Sequence, residues 1–138
     1  MVVVGVDFSH GSAGALQTGR ALAGLDGSEI CVVHVRRERA GPWRPAHSEA
    51  AWLREHRVDP GAVRLRHGEP WVELVRLAEE VGATLVVAGT HGRSGIQPFR
   101  LGTTAATVAL RCRTPVVLVS PQVMSESDRN AITHEEVP

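Results

Sequence analysis

The sequence predicts a single α/β domain in which a parallel five-stranded sheet is covered by helices on both faces. Short apolar runs alternate along the chain with helix-like segments, as they do in repeated strand–helix–strand units. Several of these runs are apolar without interruption, which is typical of strands buried on both faces. The length of 138 residues suits one domain with a sizeable core.

The strands are predicted from the apolar runs and the helices from the segments between them. The predicted strands are Val2–Val6, Ile30–Val35, Val63–His67, Thr84–Ala88 and Val116–Ser120. The predicted helices are about Ala13 to Leu25, a short helix around Ser48–Arg57, Trp71 to Val81, and Gly102 to about Arg113. The last helix ends before Thr114-Pro115 because the residue that precedes a proline disfavours helical geometry.

The first predicted helix contains three glycines, Gly14, Gly19 and Gly24. A glycine inside a helix costs up to ~1 kcal/mol relative to alanine. We therefore expect these glycines to allow close packing of the helix against its neighbours.

Composition and charge narrow the classes of partner. Fifteen basic and fifteen acidic residues cancel, so the chain lacks the basic surface that most nucleic-acid-binding proteins carry. No run approaches the roughly 18 apolar residues of a membrane span, and no basic segment precedes the first strand as in a secretory leader. Cys31 and Cys112 are expected to be buried free thiols. We expect a cytoplasmic protein without nucleic acid or membrane as partner.

The glycine spacing Gly89-x2-Gly92-x9-Gly102-Thr103 lies between the fourth predicted strand and the last helix. Glycines allow backbone N–H groups to approach a phosphate closely, and the first turn of a helix offers unpaired donors and a positive dipole end. A hydroxyl of Thr103 or Thr104 would add a side-chain donor. The spacing therefore predicts a bound nucleotide or phosphate.

This loop resembles, position for position, the ATP-binding motif Gly-x2-Gly-x9-Gly-Ser/Thr of the universal stress protein family. The resemblance covers about the first 120 residues and includes Val3-Val4-Gly5-Val6-Asp7-Phe8-Ser9, Cys31–Val35, Gly68-Glu69-Pro70 and Thr114–Val119. It implies a Rossmann-like open sheet in the order 3-2-1-4-5. It also implies that residues 1–121 form a universal stress protein-like nucleotide-binding domain, followed by a polar C-terminal tail, 122–138.

The resemblance also implies where the ligand lies. In an open sheet of this order, ligands bind beyond the carboxyl ends of the strands, where the strand order reverses. Asp7 is expected to hold the ribose or the base, although an aspartate at this place also suits a loop or helix cap. Val35 and Ala88 would line the adenine, while the glycines and threonines would meet the phosphates. Arg93 would meet the phosphates too, although a solvated position suits it equally well. The predicted cofactor-binding residues are Asp7, Val35, Ala88, Gly89, Gly92, Arg93, Gly102, Thr103 and Thr104.

The implied function is that of an ATP-binding regulatory protein in the stress response, with Mg²⁺ or Mn²⁺ beside the phosphates and with an unidentified regulatory protein partner. AMP or another adenine nucleotide stays open as the ligand, because the loop recognises phosphate. A nucleotide-independent interaction module of the same fold and a slow ATP hydrolase are the alternatives. The hydrolase lacks an evident general base and a lysine clamp, so no catalytic residue is assigned. The histidines and cysteines have no metal-ligand spacing, so no protein metal ligand is assigned either.

A homodimer is also expected, through the last strand at Val116–Val119. The order implied by the resemblance places this strand at an edge of the sheet. The strand is uniformly apolar, and an exposed apolar edge promotes aggregation unless something covers it. Pairing of the strand with its copy across a two-fold axis would provide that cover.

Overall fold

In a computed structural model of the chain, the described residues are 1–38, 41–91 and 102–120. The strands are β1 (Val2–Gly5), β2 (Ile30–Arg36), β3 (Arg64–His67), β4 (Leu85–Gly89) and β5 (Val116–Val119). The helices are α1 (His10–Asp26), α2 (His47–Glu55), α3 (Pro70–Glu80) and α4 (Thr103–Arg111), with a short 3-10 turn at Pro60–Ala62 that was not predicted. The predicted tail, residues 122–138, lies outside the described residues, so this boundary stays a prediction.

All strand pairs are parallel, and the order is β3-β2-β1-β4-β5. The predicted fold class, an open Rossmann-like sheet in one domain, is confirmed. β1 lies at the centre, with Val3 opposite Cys31 on one side and Val86 on the other. The strand order reverses between β1 and β4, because β2 and β3 extend from β1 in one direction and β5 from β4 in the other.

The two faces of the sheet carry separate apolar cores. Val2 and Val4 pack with Leu16 of α1 and Leu53 of α2 on one face. The alternate residues Val3, Val33 and Val86 pack on the other face with Leu77 of α3 and Val108 of α4. Successive side chains of a strand point to opposite faces, so a strand buried on both faces is continuously apolar. Cys31 is a buried free thiol of the second core, as predicted, whereas Cys112 is a half-buried free thiol packed against that core. Burial raises the pKa of the Cys31 thiol.

Helix α1 begins at His10, earlier than the predicted start near Ala13. The reason is local capping: the Ser9 hydroxyl accepts a hydrogen bond from the backbone N–H of Ser12 at 3.3 Å. The helix ends at Asp26 and is capped by Gly27, whose φ of 72° is left-handed and whose N–H donates to the carbonyl of Ala23.

Helix α3 covers the edge strand β3 through a network of ion pairs. The buried face of the helix includes Glu73, whose carboxylate accepts from Arg66 Nε at 3.2 Å and from Arg76 Nη1 at 3.1 Å. Arg66 also bonds both carboxylate oxygens of Glu80, at 2.7 and 3.0 Å. The hydrogen bonds from Arg66 lower the pKa of Glu80 and those to Glu80 raise the pKa of Arg66. The network connects β3 to both the first and the last turn of α3.

The three glycines of the predicted first helix, Gly14, Gly19 and Gly24, differ in their surroundings. A Cβ at Gly19 would lie 2.6 Å from Cγ2 of Val4, in the core, and one at Gly14 would lie 3.2 Å from Cγ1 of Val119. A Cβ at Gly24 would meet no atom of the described chain within 4 Å. The close-packing interpretation thus holds for Gly19 and Gly14, and it is wrong for Gly24.

We expect Gly19→Ala to lower the free energy of unfolding by about 1–3 kcal/mol, because the added methyl group overpacks the contact with Val4. Gly24→Ala should raise it by about 0.5–1 kcal/mol, because alanine is the better helix former at an exposed site. Urea denaturation of both variants measures the difference. Equal effects of the two substitutions would contradict the contact of α1 with β1.

Candidate functional site

A cavity of about 500 Å³ lies at the carboxyl ends of β1, β2 and β4, where the strand order reverses. Its other walls come from the start of α3, the start of α4 and the first turn of α1. Small-molecule sites commonly have volumes on the order of 300–1,000 Å³, so the space suits a ligand of nucleotide size.

The predicted site residues that the structure describes all line this cavity. They are Asp7, Val35, Ala88, Gly89, Gly102, Thr103 and Thr104. Gly92 and Arg93 lie outside the described residues, so their predicted contacts stay predictions. Sequence reasoning did not find the other lining residues, among them Ser12, Arg37, Pro70, Leu74, Thr90 and His91.

The cavity has an apolar end and a polar end. Val33 and Val35 of β2 form the apolar end together with Pro70 and Leu74 of α3. Gly5 of β1 makes room there, because a Cβ at this position would lie 3.0 Å from Cδ2 of Leu74. The polar end contains Thr90 and His91, which follow β4, and the first residues of α4. A ligand that is apolar at one end and anionic at the other matches this division.

Glycine backbones set the geometry of the polar end. A Cβ at Gly11 of α1 would lie 2.4 Å from the carbonyl oxygen of His91, and one at Gly102 would lie 2.9 Å from that of Thr90. A Cβ at Gly89 would lie 3.0 Å from the backbone of Gly11. The N–H of Gly102 donates to the Thr90 carbonyl at 2.7 Å. The end of β4 therefore touches the starts of both α1 and α4 through backbone atoms, a contact that only glycine permits.

The start of α4 provides donors to the polar end. Gly102 is the N-cap residue, and it has no side chain that would occupy the N–H groups of the first turn. Thr103 and Thr104 form this turn, and both line the cavity. Helix N-termini of this kind bind phosphates and other anions.

The Asp7 carboxylate both joins the start of α1 and lines the cavity. Its Oδ1 accepts hydrogen bonds from the backbone N–H of Ser9 at 3.1 Å, from Ser9 Oγ at 2.5 Å and from Ser12 Oγ at 2.6 Å. Ser12 Oγ in turn accepts from the backbone N–H of Asp7 at 2.7 Å. The two interpretations of Asp7, a cap and a ligand contact, are therefore compatible, because the cap holds the carboxylate in the cavity wall.

Aromatic side chains hold the turn after β1 from the opposite face of the sheet. Phe8 has a φ of 64°, and its ring lies 4.6 Å from that of His34, 5.5 Å from that of Trp52 and 6.0 Å from that of Trp43. Trp52 Nε1 donates to the Ser9 carbonyl at 3.2 Å, and His34 Nδ1 donates to the Val6 carbonyl at 2.9 Å. These contacts stabilise the left-handed backbone at Phe8 and thereby place its neighbour Asp7 in the cavity.

The sheet order and the position of the cavity define a Rossmann-like α/β protein with its candidate site at the reversal of strand order. The sequence model of the universal stress protein family matches residues 1–120. The chain belongs to the universal stress protein family.

Individual relatives agree with this assignment. Universal stress protein YxiE of Bacillus subtilis is 27% identical over 143 residues, covering 86% of this chain and 97% of that protein. A crystal structure of a universal stress protein in complex with cAMP is 29% identical, with a TM-score of 0.64 and coverage of 88% of this chain and 97% of that one. Protein MJ0577 of Methanocaldococcus jannaschii has the same fold, at 20% identity and a TM-score of 0.66 over 89% of this chain and 96% of that one.

Within the described segments, no helix is both long enough and apolar enough to cross a bilayer.

We expect Phe8→Gly to be at least as stable as Phe8→Ala. Both variants lose the aromatic packing, which we estimate at about 2–3 kcal/mol. Only alanine retains the left-handed backbone cost of an L-residue, about 1 kcal/mol. Thermal and urea denaturation compare the two variants.

Ala21→Gly is the control for this comparison, because Ala21 is an exposed residue of α1 and glycine should cost about 1 kcal/mol there. A Phe8→Gly variant less stable than Phe8→Ala by that same amount would show that Phe8 has no left-handed constraint in solution.

Proposed function

We propose that the chain is an ATP-binding regulatory protein of the stress response. The observation that carries the proposal is the division of one cavity into an apolar end and an end of backbone and hydroxyl donors. A nucleotide has the same division, with a flat base at one end and phosphates at the other. The cavity also lies where doubly wound sheets bind their ligands.

The proposed contacts follow the two ends. The adenine lies against Val35 and Ala88, and the Asp7 carboxylate accepts a hydrogen bond from the ribose. The phosphates lie at the polar end, in contact with Gly89, Gly92, Arg93, Gly102, Thr103 and Thr104, of which Gly92 and Arg93 lie outside the described residues. The donors of the first turn of α4 then meet the phosphate oxygens.

The relative solved with cAMP supports an adenine nucleotide as the ligand class. That relative is 29% identical to this chain, and the match covers 88% of this chain and 97% of the relative. Its ligand contains adenine, ribose and one phosphate group, and these are the parts for which the cavity of this chain has an apolar wall, a carboxylate and a helix start. ATP is our proposal, and AMP and cyclic nucleotides are the competing ligands.

A divalent cation, Mg²⁺ or Mn²⁺, would accompany the phosphates. The described residues contain no group of three or more histidines, cysteines and carboxylates that would hold a metal ion. Mg²⁺ is commonly held by substrate phosphates, by several waters and by one or two protein oxygens. The hydroxyls of Thr103 and Thr104 would suit that limited role, so the metal fits as a companion of the nucleotide.

Regulation would follow from the position of the phosphate end between two segments. A nucleotide in contact with both Gly89 and Gly102 would favour one relative position of these two segments, and a partner protein would sense that change. Residues 92–101, which join the two segments, lie outside the described residues. Asp7 is the one carboxylate among the described lining residues, and it is bonded to Ser9 and Ser12. This placement favours a binding role over that of a general base, and therefore favours a regulator over a hydrolase.

Calorimetric titration of ATP with Mg²⁺ tests the proposal, using chain that has been denatured and refolded to remove any bound nucleotide. We expect a dissociation constant on the order of micromolar. Gly102→Val should weaken binding at least about tenfold, because its side chain would displace the Thr90 carbonyl and separate α4 from β4. Gly24→Ala, at an exposed glycine of α1, is the matched control and should bind like the native chain.

Parallel titrations with AMP and cAMP rank the candidate ligands. A folded native chain that binds none of these nucleotides would overturn the proposal in favour of the nucleotide-independent interaction module. Steady ATP turnover that is lost in Asp7→Ala would instead favour the hydrolase.

We also propose a homodimer through β5. This strand lies at the edge of the sheet. The carbonyls of Pro115 and Val119 accept bonds from β4, so by alternation Val116 and Leu118 direct their backbone groups to the open edge. All four residues of β5 are apolar and only half-buried, so pairing with a second copy would cover them.

Light scattering after size exclusion should give the mass of a dimer for the native chain. Leu118→Pro should give a monomer, because proline removes an outward N–H and leaves intact the bonds that the carbonyls of Pro115 and Val119 accept from Val86 and Thr90. Leu25→Ser removes an exposed apolar side chain at the far end of α1 and should stay dimeric. A monomeric native chain, or a dimeric Leu118→Pro variant, would contradict pairing through β5.

A further inference from the structure

One ion pair lies at the mouth of the cavity. Arg37 follows β2 directly and lines the cavity, and its Nη1 lies 2.8 Å from Oε2 of Glu69. Glu69 is the N-cap residue of α3, so the pair connects the end of β2 to the start of α3. Both side chains are substantially exposed, at 66% for Arg37 and 45% for Glu69. An ion pair this exposed contributes little to stability, which leaves its position beside the cavity to be explained by something else.

The backbone around the pair is held in place. The N–H of Gly68 donates to the carbonyl of Arg36 at 2.8 Å, which joins the turn before α3 to the end of β2. Pro70 fixes its own φ at the first position of α3, immediately after Glu69. The carboxylate of Glu69 is therefore presented to Arg37 from a defined backbone at the rim of the cavity.

Arg37 lies beside the apolar end of the cavity. Val35 precedes it by two residues on β2, and Pro70 follows its partner Glu69 on α3, and both of these apolar residues line the same wall. The glycines and threonines of the polar end belong to different elements, β4 and α4. A phosphate at the polar end finds its hydrogen-bond donors in those two elements. The planar guanidinium of Arg37, beside the apolar end, is therefore suited to a different part of the ligand.

We propose that Arg37, oriented by Glu69, stacks on the base of the bound nucleotide and is a specificity-determining residue. The inference rests on the proposed function. Arg37 adjoins the apolar wall of Val35, Pro70 and Leu74, so a base that lies against this wall also meets the guanidinium plane. A guanidinium is planar and weakly hydrated, and it stacks favourably on aromatic rings, whereas the ammonium of lysine is a compact, strongly hydrated charge. The site thereby selects a ligand with an extended flat ring system.

The test separates the base from the phosphates. ATP, adenosine and inorganic tripolyphosphate are titrated by calorimetry into the native chain and into Arg37→Met, Arg37→Lys and Glu69→Gln. Arg37→Met should weaken ATP and adenosine by the same factor, about fivefold to tenfold, and leave tripolyphosphate unchanged. Arg37→Lys should fail to restore the affinity for ATP, because it keeps the charge and loses the plane. Glu69→Gln should weaken ATP by a smaller factor, because it loosens the orientation of Arg37.

Arg76→Met is the matched control, since Arg76 is a 65% exposed arginine that also bonds a glutamate of α3 and does not line the cavity. Arg76→Met should bind all three ligands like the native chain, and melting curves should show every variant folded. Equal weakening of ATP and tripolyphosphate by Arg37→Met would make Arg37 a phosphate contact and overturn the inference. So would ATP binding that is unchanged in Arg37→Met.

Failure of the proposed function has a different outcome. A native chain that binds none of the nucleotides would overturn both the proposed function and the role of Arg37. A native chain that binds ATP, with Arg37→Met variants that bind it equally well, would overturn the role of Arg37 alone.

Discussion

The end of β4 is in backbone contact with the first turn of α1, and the walls of the cavity depend on this contact. Gly89 and Gly11 approach so closely that a Cβ at Gly89 would lie 3.0 Å from the carbonyl group of Gly11. The same approach brings the His91 carbonyl against Gly11 and the Thr90 carbonyl against Gly102. Separation of these segments by even one methyl group would move the start of α4 away from the strand ends. The position of the donors in α4 is therefore set by packing between backbones.

The position of Asp7 in the cavity wall depends on the aromatic side chains that surround Phe8. Asp7 lies in the cavity because the turn after β1 is left-handed at Phe8, and that turn is stabilised by rings that lie on the far face of the sheet. Ser12 connects the same carboxylate to α1. One short turn is thus coupled to α1, to the ring of Trp52 in α2 and to the cavity. A change of ligand at Asp7 and a change of packing at Phe8 are therefore expected to affect each other.

Much of this arrangement was predictable from the sequence, and the reasons are local. The central strands are continuously apolar, and the glycine spacing before α4 links a strand end to a helix start within one stretch of chain. Gly11 was not predicted, because its contact with His91 joins segments 80 residues apart and local sequence does not encode it. Leu74 lies in the predicted helix Trp71 to Val81 but was not predicted to line the cavity, since helical periodicity does not distinguish a side chain in the core from one in a cavity wall. Gly19 and Gly24 likewise lie in the same helix, and the local sequence does not show which of them is closely packed. Only the contact of Gly19 with the neighbouring strand β1 distinguishes the two.

The polar end of the cavity presents mainly backbone groups and hydroxyls and few charged side chains. Among the described lining residues the formal charges are Asp7 and Arg37, and neither belongs to the glycine and threonine segments of β4 and α4. Anion recognition there would come from backbone N–H groups and hydroxyls, which require a few glycines and a helix start. Such a site survives extensive substitution, which is consistent with relatives at 20% and 29% identity that share the fold. The side chains at the mouth, Arg37 and Glu69, can be substituted without loss of the fold, because their exposed ion pair contributes little to stability. Differences in ligand preference within such a family are therefore expected to arise at the base end, while the phosphate end stays nearly constant.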